Sequence, residues 1–314
     1  MKTAVLIPCY NEALTIAQTV AGFKELAPDA DVFVYDNNST DDSARLAAQA
    51  GAIVVSEYRQ GKGFVVRSMF RDIEADCYVM VDGDGTYSAS DALALCEFVD
   101  DGCADMVIGD RLSGTYFEQN QRRFHGFGNR LVRFLVNWIF GSHVQDIMTG
   151  CRCFSRRFVK SFPVLSDGFQ VETEMTIHAL DHNFLVKEVP IEYHDRPQGS
   201  ESKLSTFSDG FQVLGTIVAL FRDYRPMRFF GLIAAVLFVI SVAMFITPLN
   251  EYLKTGLVTR FPTLIVAVAV GISSMLSLVC GVVLESTRMQ SRHFYELALT
   301  LLKEQDDIRR ASGA

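Results

Sequence analysis

The chain has 314 residues, 49% of them hydrophobic, with 29 Lys and Arg against 37 Asp and Glu, a formal net charge of −8. That length allows one large domain or two modest ones, and the acidic balance argues against a nucleic-acid-binding protein. The apolar excess is high for a soluble domain and gathers towards the C-terminus.

The first apolar run, residues 4–7, is too short for a signal peptide and is followed at once by Pro8, Tyr10, Asn11 and Glu12. It reads as a β-strand. Ile16, Val20, Phe23 and Leu26 then recur at helical spacing. A second strand is expected over 31–35, closed by Asp36-Asn37-Asn38-Ser39-Thr40-Asp41, in which Ser39 or Thr40 is placed to cap the next helix. A third strand covers 52–56, and Gly61-Lys62-Gly63 opens a further helix. The fourth strand, 77–81, ends in Asp82-Gly83-Asp84-Gly85. A helix over 89–99, a fifth strand over 106–109, a helix over 172–181 and a strand over 185–193 complete the pattern. Strands alternating with helices predict an α/β fold, a mostly parallel sheet with helices on both faces. Ligands of such sheets sit beyond the C-terminal strand ends. The loops 8–12, 36–41 and 82–87 all fall at that rim, and three polar loops at one rim predict one site.

Two carboxylates one residue apart at a strand end repel each other, and a bound cation relieves this. Hard oxygen ligands suit Mg²⁺ or Mn²⁺, which bridge to substrate phosphates. The same stretch also reads as a strand-terminating turn with solvated carboxylates. The seven cysteines are odd in number and several lie in apolar runs, which reads as reduced core thiols. Cys151-x-Cys153 has the alternative of a metal or redox pair, without a second pair at ligand spacing.

Residues 116–141 mix aromatic and basic side chains, with Leu131, Phe134, Leu135 and Trp138 on one helical face flanked by Arg130 and Arg133. That suits a helix at a membrane surface or over an active site; an ordinary amphipathic core helix would read the same. Residues 229–249 and 262–284 are each long and apolar enough to cross a bilayer, and the short linker makes them a hairpin. Arg222, Arg225 and Arg228 precede the pair and Arg288 and Arg292 follow it, whereas the intervening loop holds only Lys254 and Arg260. The positive-inside rule then puts both termini and the N-terminal domain in the cytoplasm. The expected division is a domain over 1–206, an amphipathic interfacial segment over 207–228, two membrane helices within 229–284 and a C-terminal helix or tail over 285–314.

Six ordered motifs carry a resemblance: Ile7-Pro8-Cys9-Tyr10-Asn11-Glu12, Asp36 to Asp41, Asp82-Gly83-Asp84, Gly109-Asp110-Arg111, Asp146-x-x-x-Gly150-x-Arg152 and Arg196 to Lys203. Together they resemble a family-2 glycosyltransferase of the GT-A fold, in the branch that charges polyprenyl phosphates with sugar. This chain departs in two places: the last loop is one residue longer than the common spacing, and Asn37 and Asn38 stand where Asp and Gly are frequent.

The resemblance implies an inverting transferase, a Rossmann-like GT-A domain followed by the membrane hairpin. One sugar would move from a nucleotide-sugar, UDP-glucose or UDP-N-acetylglucosamine being favoured, to undecaprenyl or another polyprenyl phosphate at the cytoplasmic face of a bacterial plasma membrane. It assigns Pro8, Tyr10, Asn11, Glu12, Asp36, Lys62, Asp82 and Gly83 to the donor, Asp84 assisted by Asp82 to the metal, and Lys62 and Lys203 to added phosphate stabilisation. Arg111, Arg130, Arg196, Ser202, Lys203 and Glu174 fall on the acceptor side, with Arg111 and Arg196 gripping its phosphate through the guanidinium fork. The alternatives are GDP-mannose as donor, another lipid or glycan as acceptor, and a non-catalytic membrane scaffold. Self-association would cover lipid-exposed surface.

Overall fold

A computed structural model describes residues 1–113, 123–168, 170–194, 215, 218–219 and 221–311. Arg196, Ser202 and Lys203 lie outside the described residues, as does half of the segment 207–228. The chain divides into two compact units, Met1–Leu214 with Ala298–Ala314, and Gly215–Leu297.

In the first unit the strands are β1 Thr3–Cys9, β2 Asp31–Asp36, β3 Ile53–Ser56, β4 Cys77–Met80, β5 Met106–Asp110, β6 Arg152–Ser155 and β7 Val186–Pro190. The helices are α1 Ile16–Leu26, α2 Ser43–Gln49, α3 Lys62–Asp72, α4 Ala89–Asp100, α5 Arg123–Phe140, α6 Arg156–Ser161 and α7 Val171–Asp181. The sheet runs β3-β2-β1-β4-β6-β5-β7. It is parallel throughout except that β6 runs against both β4 and β5. The sequence reading misses β6. Its four residues open with the buried Arg152, and a charged residue in so short a run hides the apolar signal.

Alternation along the strands sends side chains to two faces. Val5, Ile7, Val79, Val81, Val107 and Cys153 pack with Ile16, Val20 and Phe23 of α1 and Leu95 and Val99 of α4. On the other face Phe154 of β6 meets Phe70 of α3 edge-on at 5.6 Å and stacks on Phe158 of α6 at 5.1 Å. Each large side chain so buried contributes roughly 1.5–3 kcal/mol. Cys77, Cys96 and Cys153 meet in the first of these faces, with Sγ atoms 3.2 Å (77 to 153) and 3.8 Å (153 to 96) apart. They sit by the start of β4, whereas the carboxylates follow its end. Burial raises the pKa of Cys151, which favours its thiol form.

The pairing aligns the functional rim. Cys9 lies opposite Asp36 and Leu6 opposite Met80, so the loops after β1, β2 and β4 leave the sheet side by side. The cap expected for α2 is corrected: its N-cap is Asp42. Ser39 Oγ and the Thr40 N–H are instead engaged by Asn11, as donor to the one and acceptor from the other.

His178 of α7 is buried among Phe158, Phe162 and Phe184, with the His182 ring tilted against it at 4.4 Å. Burial first, and then the charge of His182, push its pKa down to about 3. An unfolded His titrates near 6.5. Between those values the unfolded chain takes a proton that the folded one refuses, so stability falls as pH falls, by about 1.4 kcal/mol per unit. The thermal midpoint of the full chain in detergent is expected to drop from pH 7 to pH 5, with His178→Phe losing about 2 kcal/mol less over that range. Parallel curves for the two proteins would assign the titration elsewhere.

The second unit holds α8 Pro226–Thr255 and the greater part of α9 Phe261–Ala311. The tail expected as a separate helix continues α9 without a break. Gly256 ends α8 in the left-handed region, φ 68°, and its N–H returns to the Tyr252 carbonyl. The two helices are joined by hydroxyls that reach across: Ser241 to the Ala267 carbonyl at 2.8 Å, Ser274 to Ala234 at 2.7 Å and Ser277 to Phe230 at 3.1 Å. Small residues let helix backbones approach when apolar burial gives no drive, as in lipid. Both helices are long and apolar enough to cross a membrane. Their other faces expose large apolar side chains such as Leu232, Phe238, Val239, Met275 and Leu276.

Candidate active site

The rim loops are tied into one body by backbone and side-chain bonds. Asn11 sits at φ 53°, a left-handed conformation that asparagine tolerates. Its Oδ1 accepts from the Thr40 N–H at 2.8 Å. The Glu12 N–H donates to Ser43 Oγ at 2.7 Å, and the Ala13 N–H to Asp41 at 3.2 Å. Thr15 Oγ1 donates to the Gly83 carbonyl at 2.7 Å, joining the first loop to the carboxylate loop. Pro8 pairs with Tyr35 in the sheet, and Tyr10 is about one-third exposed just beyond it.

Asp36 is buried; its Oδ2 accepts from the Ser39 N–H, and its Oδ1 has no hydrogen-bond partner. Asn37 and Asn38 turn away from the rim to hold the loop after β3. Asn37 Nδ2 donates to the Glu57 and Arg59 carbonyls, its Oδ1 accepts from the Gly61 N–H at 2.7 Å, and Asn38 Nδ2 donates to the Tyr58 carbonyl. The departure from Asp and Gly at these positions therefore builds a neighbouring loop.

Asp84 is buried, and its Oδ1 accepts from both the N–H (3.2 Å) and the hydroxyl (2.6 Å) of Thr86, which fixes its rotamer. Asp82 Oδ1 lies 2.5 Å from Lys62 Nζ, and Lys62 lies 2.6 Å from Glu172 Oε1. The Lys62 side chain is only 9% exposed. Burial by itself would lower its pKa; the charges of Asp82 and Glu172 outweigh this and hold the ammonium above its ordinary value. Asp82 also presses on Gly150: a Cβ there would fall 2.2 Å from Asp82 Oδ2.

Lys62 is placed by its flanking glycines. A Cβ on Gly61 would lie 2.1 Å from the Asp167 carbonyl oxygen, and one on Gly63 1.9 Å from that of Ser166. The backbone over 165–167 is fixed in turn by Glu174, whose carboxylate accepts from the Leu165 N–H at 3.0 Å and the Ser166 N–H at 2.9 Å. Both oxygens of Glu174, a residue expected on the acceptor side, are thus engaged by the loop that seats Lys62.

Arg111, also expected on the acceptor side, pairs with a carboxylate. Its Nε and Nη2 grip Asp146 at 2.7 and 3.1 Å, and Asp146 is fully buried, so the fork expected to hold a phosphate is engaged within the protein. The guanidinium also stands 5.6 Å from the centre of the Tyr193 ring. Tyr193 packs edge-on against Tyr87, whose hydroxyl accepts from the Gly150 N–H at 3.1 Å. Burial pushes the Tyr87 phenol up against the pull of Arg111, and both Asp82 and Asp84 add to the rise. Arg152, fully buried, donates to the Ile147 and Thr149 carbonyls and to Thr176 Oγ1, shaping the turn that brings Gly150 under Asp82. Burial lowers its pKa to about 10, against the charges of Glu172 and Asp146.

Helix α5 presents two apolar faces. Val132, Val136 and Ile139 are buried, while Phe134 and Trp138, one turn apart, are 63% and 60% exposed, in line with the exposed Arg130. The face expected to be apolar is thus outward, and a different stripe packs on the domain.

The donors at the end of β4 suit a hard divalent cation: Asp82 and Asp84 offer only oxygen, and among the described residues Asp82 and Glu172 both pair with the ammonium of Lys62. The family model for glycosyl transferase family 2 matches residues 4–162. The chain belongs to glycosyl transferase family 2. It is 36% identical over 228 residues to glycosyltransferase AglJ of Haloferax volcanii, covering 72% of this chain and 74% of that one. It is 28% identical over 221 residues to polyprenol monophosphomannose synthase of Mycolicibacterium smegmatis, covering 65% and 81%. The fold is similar to that of glucosyl-3-phosphoglycerate synthase of M. tuberculosis, with a TM-score of 0.57 at 21% identity over 70% of this chain and 80% of that one. The family 2 domain is therefore of the GT-A type and the protein is a glycosyltransferase, which answers the scaffold alternative. Glu172, Tyr87 and Tyr193 are the members of its site that the sequence reading passes over. The spacing Glu172-x-Glu174 held a signal, two acids at the head of one helix, without saying which of them faces the rim.

Proposed function

We propose that this family 2 enzyme transfers one sugar from a nucleoside diphosphate donor, UDP-glucose or UDP-N-acetylglucosamine first, to a polyprenyl phosphate such as undecaprenyl phosphate at the cytoplasmic face of a membrane. One observation carries the proposal: the chain that gathers its rim loops around Asp82 and Asp84 also bears a pair of helices whose outward faces are apolar over a bilayer's length. A polyprenyl tail leaves a bilayer only at about 0.8 kcal/mol per exposed CH₂, so the enzyme has to work at the membrane. The arginines flanking the pair favour cytoplasmic termini, and the Phe134–Trp138 stripe with Arg130 suits a lipid surface. The likeness to a polyprenol monophosphomannose synthase supports the acceptor class.

In this reading Asp36, with its unpartnered Oδ1, receives an N–H of the base, and Pro8, Tyr10, Asn11, Glu12 and Gly83 shape the donor cleft. Asp84, assisted by Asp82, holds Mg²⁺ or Mn²⁺; the M. tuberculosis synthase was solved with Mn²⁺ and UDP-glucose. When bound, the cation supplies Lewis-acid charge for the departing diphosphate. The acceptor phosphate has a second pKa of about 6, so its oxygen is already ionised and needs no strong base. That oxygen attacks the anomeric carbon in line, the bond to the nucleoside diphosphate breaks, and the configuration inverts. Arg111, fixed by Asp146, offers positive charge from one position rather than a two-pronged grip. Arg196, Ser202 and Lys203 complete the acceptor side.

The mannose-synthase relative also favours a second donor, GDP-mannose. The test is lipid extraction: detergent-purified protein, undecaprenyl phosphate, Mn²⁺ or Mg²⁺, and one labelled donor at a time. EDTA-sensitive label in the organic phase with a UDP-sugar supports the first reading, and with GDP-mannose the second. No transfer from any of these donors would count against all of the donor assignments and leave a rarer donor sugar or a different acceptor.

A further inference from the structure

Lys62 is an unusual neighbour for a carboxylate assigned to a divalent cation. Its Nζ is 2.5 Å from Asp82 Oδ1, while Asp82 Oδ2 packs against Gly150. A cation and the ammonium therefore contend for one carboxylate, and two positive charges so close together repel each other. A second carboxylate stands ready on the far side of Lys62. Glu172 Oε1 is 2.6 Å from Nζ, and Glu172 Oε2 is buried with no hydrogen-bond partner among the described residues. An ammonium has three rotatable donors on a flexible stem, so Lys62 can turn from Asp82 onto both oxygens of Glu172 without leaving its pocket.

We propose that Lys62 is an exchangeable counter-ion of Asp82, neutralising that carboxylate before the divalent cation arrives and passing to Glu172 when it binds, so that Glu172 sets the site's affinity for the cation. The proposal rests on the cation-dependent reading above and assigns to Glu172, as a positioning residue, a role exerted wholly through Lys62. Glu174, two residues on, is excluded from it because its carboxylate is engaged by the Leu165 and Ser166 N–H groups.

The test is Mn²⁺ binding, read from the electron paramagnetic resonance of free Mn²⁺ as the full chain in detergent is titrated, with and without UDP. Glu172→Gln removes the carboxylate to which Lys62 would pass and is expected to weaken binding about tenfold. Lys62→Met removes the competitor and is expected to tighten binding by a similar factor. In the Lys62→Met background the effect of Glu172→Gln should shrink to about threefold or less, since the route through Lys62 is gone. Glu172→Asp keeps the charge with a shorter reach and should weaken binding less than Glu172→Gln does. Lys62→Gln replaces Lys62→Met if the latter does not fold, and thermal midpoints check each variant. An equal Glu172→Gln effect with and without Lys62, or weaker binding in Lys62→Met, overturns the exchange and leaves the cation reading standing. A wild-type chain that binds no Mn²⁺ even with UDP overturns both.

Discussion

Asp84→Asn is expected to lower sugar transfer about a thousandfold while leaving the fold intact, because a cation worth several kcal/mol to the leaving diphosphate loses its main ligand. The substitution suits the local geometry. Asp84 Oδ1 accepts two bonds from Thr86, and an asparagine carbonyl oxygen accepts the same two in the same place. The change removes the negative charge and turns Oδ2 into an amide nitrogen while keeping both Thr86 bonds. The thermal midpoint should stay close to that of the wild type, and Mn²⁺ binding should fall together with transfer. A variant that keeps more than about a tenth of wild-type transfer would show that Asp84 does not hold the cation.

That expectation draws on the part of the site most legible in the sequence. Asp82, Asp84, Asn11, Glu12 and Asp36 lie at strand ends, where a change from apolar to polar within a few residues marks both the strand and its rim. Parallel pairing then brings the three loops together. What the sequence hid depends on distant partners. Glu172 and Glu174 are equally good acids at the start of a helix, and only the packing of α7 sends one to Lys62 and the other to the 165–166 backbone. The pairing of Arg111 with Asp146 spans 35 residues, so nothing local in the sequence announces it. The strand β6 was lost behind the buried Arg152. In the second unit, hydropathy marks both helices but not the serine hydroxyls that join them, since a serine in an apolar run scores only as an interruption.

Gly63→Ala is expected to cost about 1–3 kcal/mol of stability and at least about a hundredfold in transfer. The added Cβ would lie 1.9 Å from the Ser166 carbonyl oxygen and 2.9 Å from the Asp167 carbonyl carbon, and both are backbone atoms that cannot swing aside. The Gly63 N–H also donates to the Asp167 carbonyl at 3.1 Å, so separating the loops breaks the bond that registers them. Lys62, next in the chain, is displaced with them. The stem that carries its ammonium to Asp82 and Glu172, at 2.5 and 2.6 Å, then starts from a shifted backbone. Gly22→Ala is the control: it lies in α1, its Cβ would meet only the Ala89 Cβ at 3.5 Å, and alanine is the better helix former. It should be neutral or slightly stabilising, with full transfer. If Gly63→Ala matched Gly22→Ala in both thermal midpoint and rate, the seating of Lys62 on the 165–167 backbone would have no part in the site. Loss of transfer with an unchanged midpoint would instead place the whole effect on the position of Lys62.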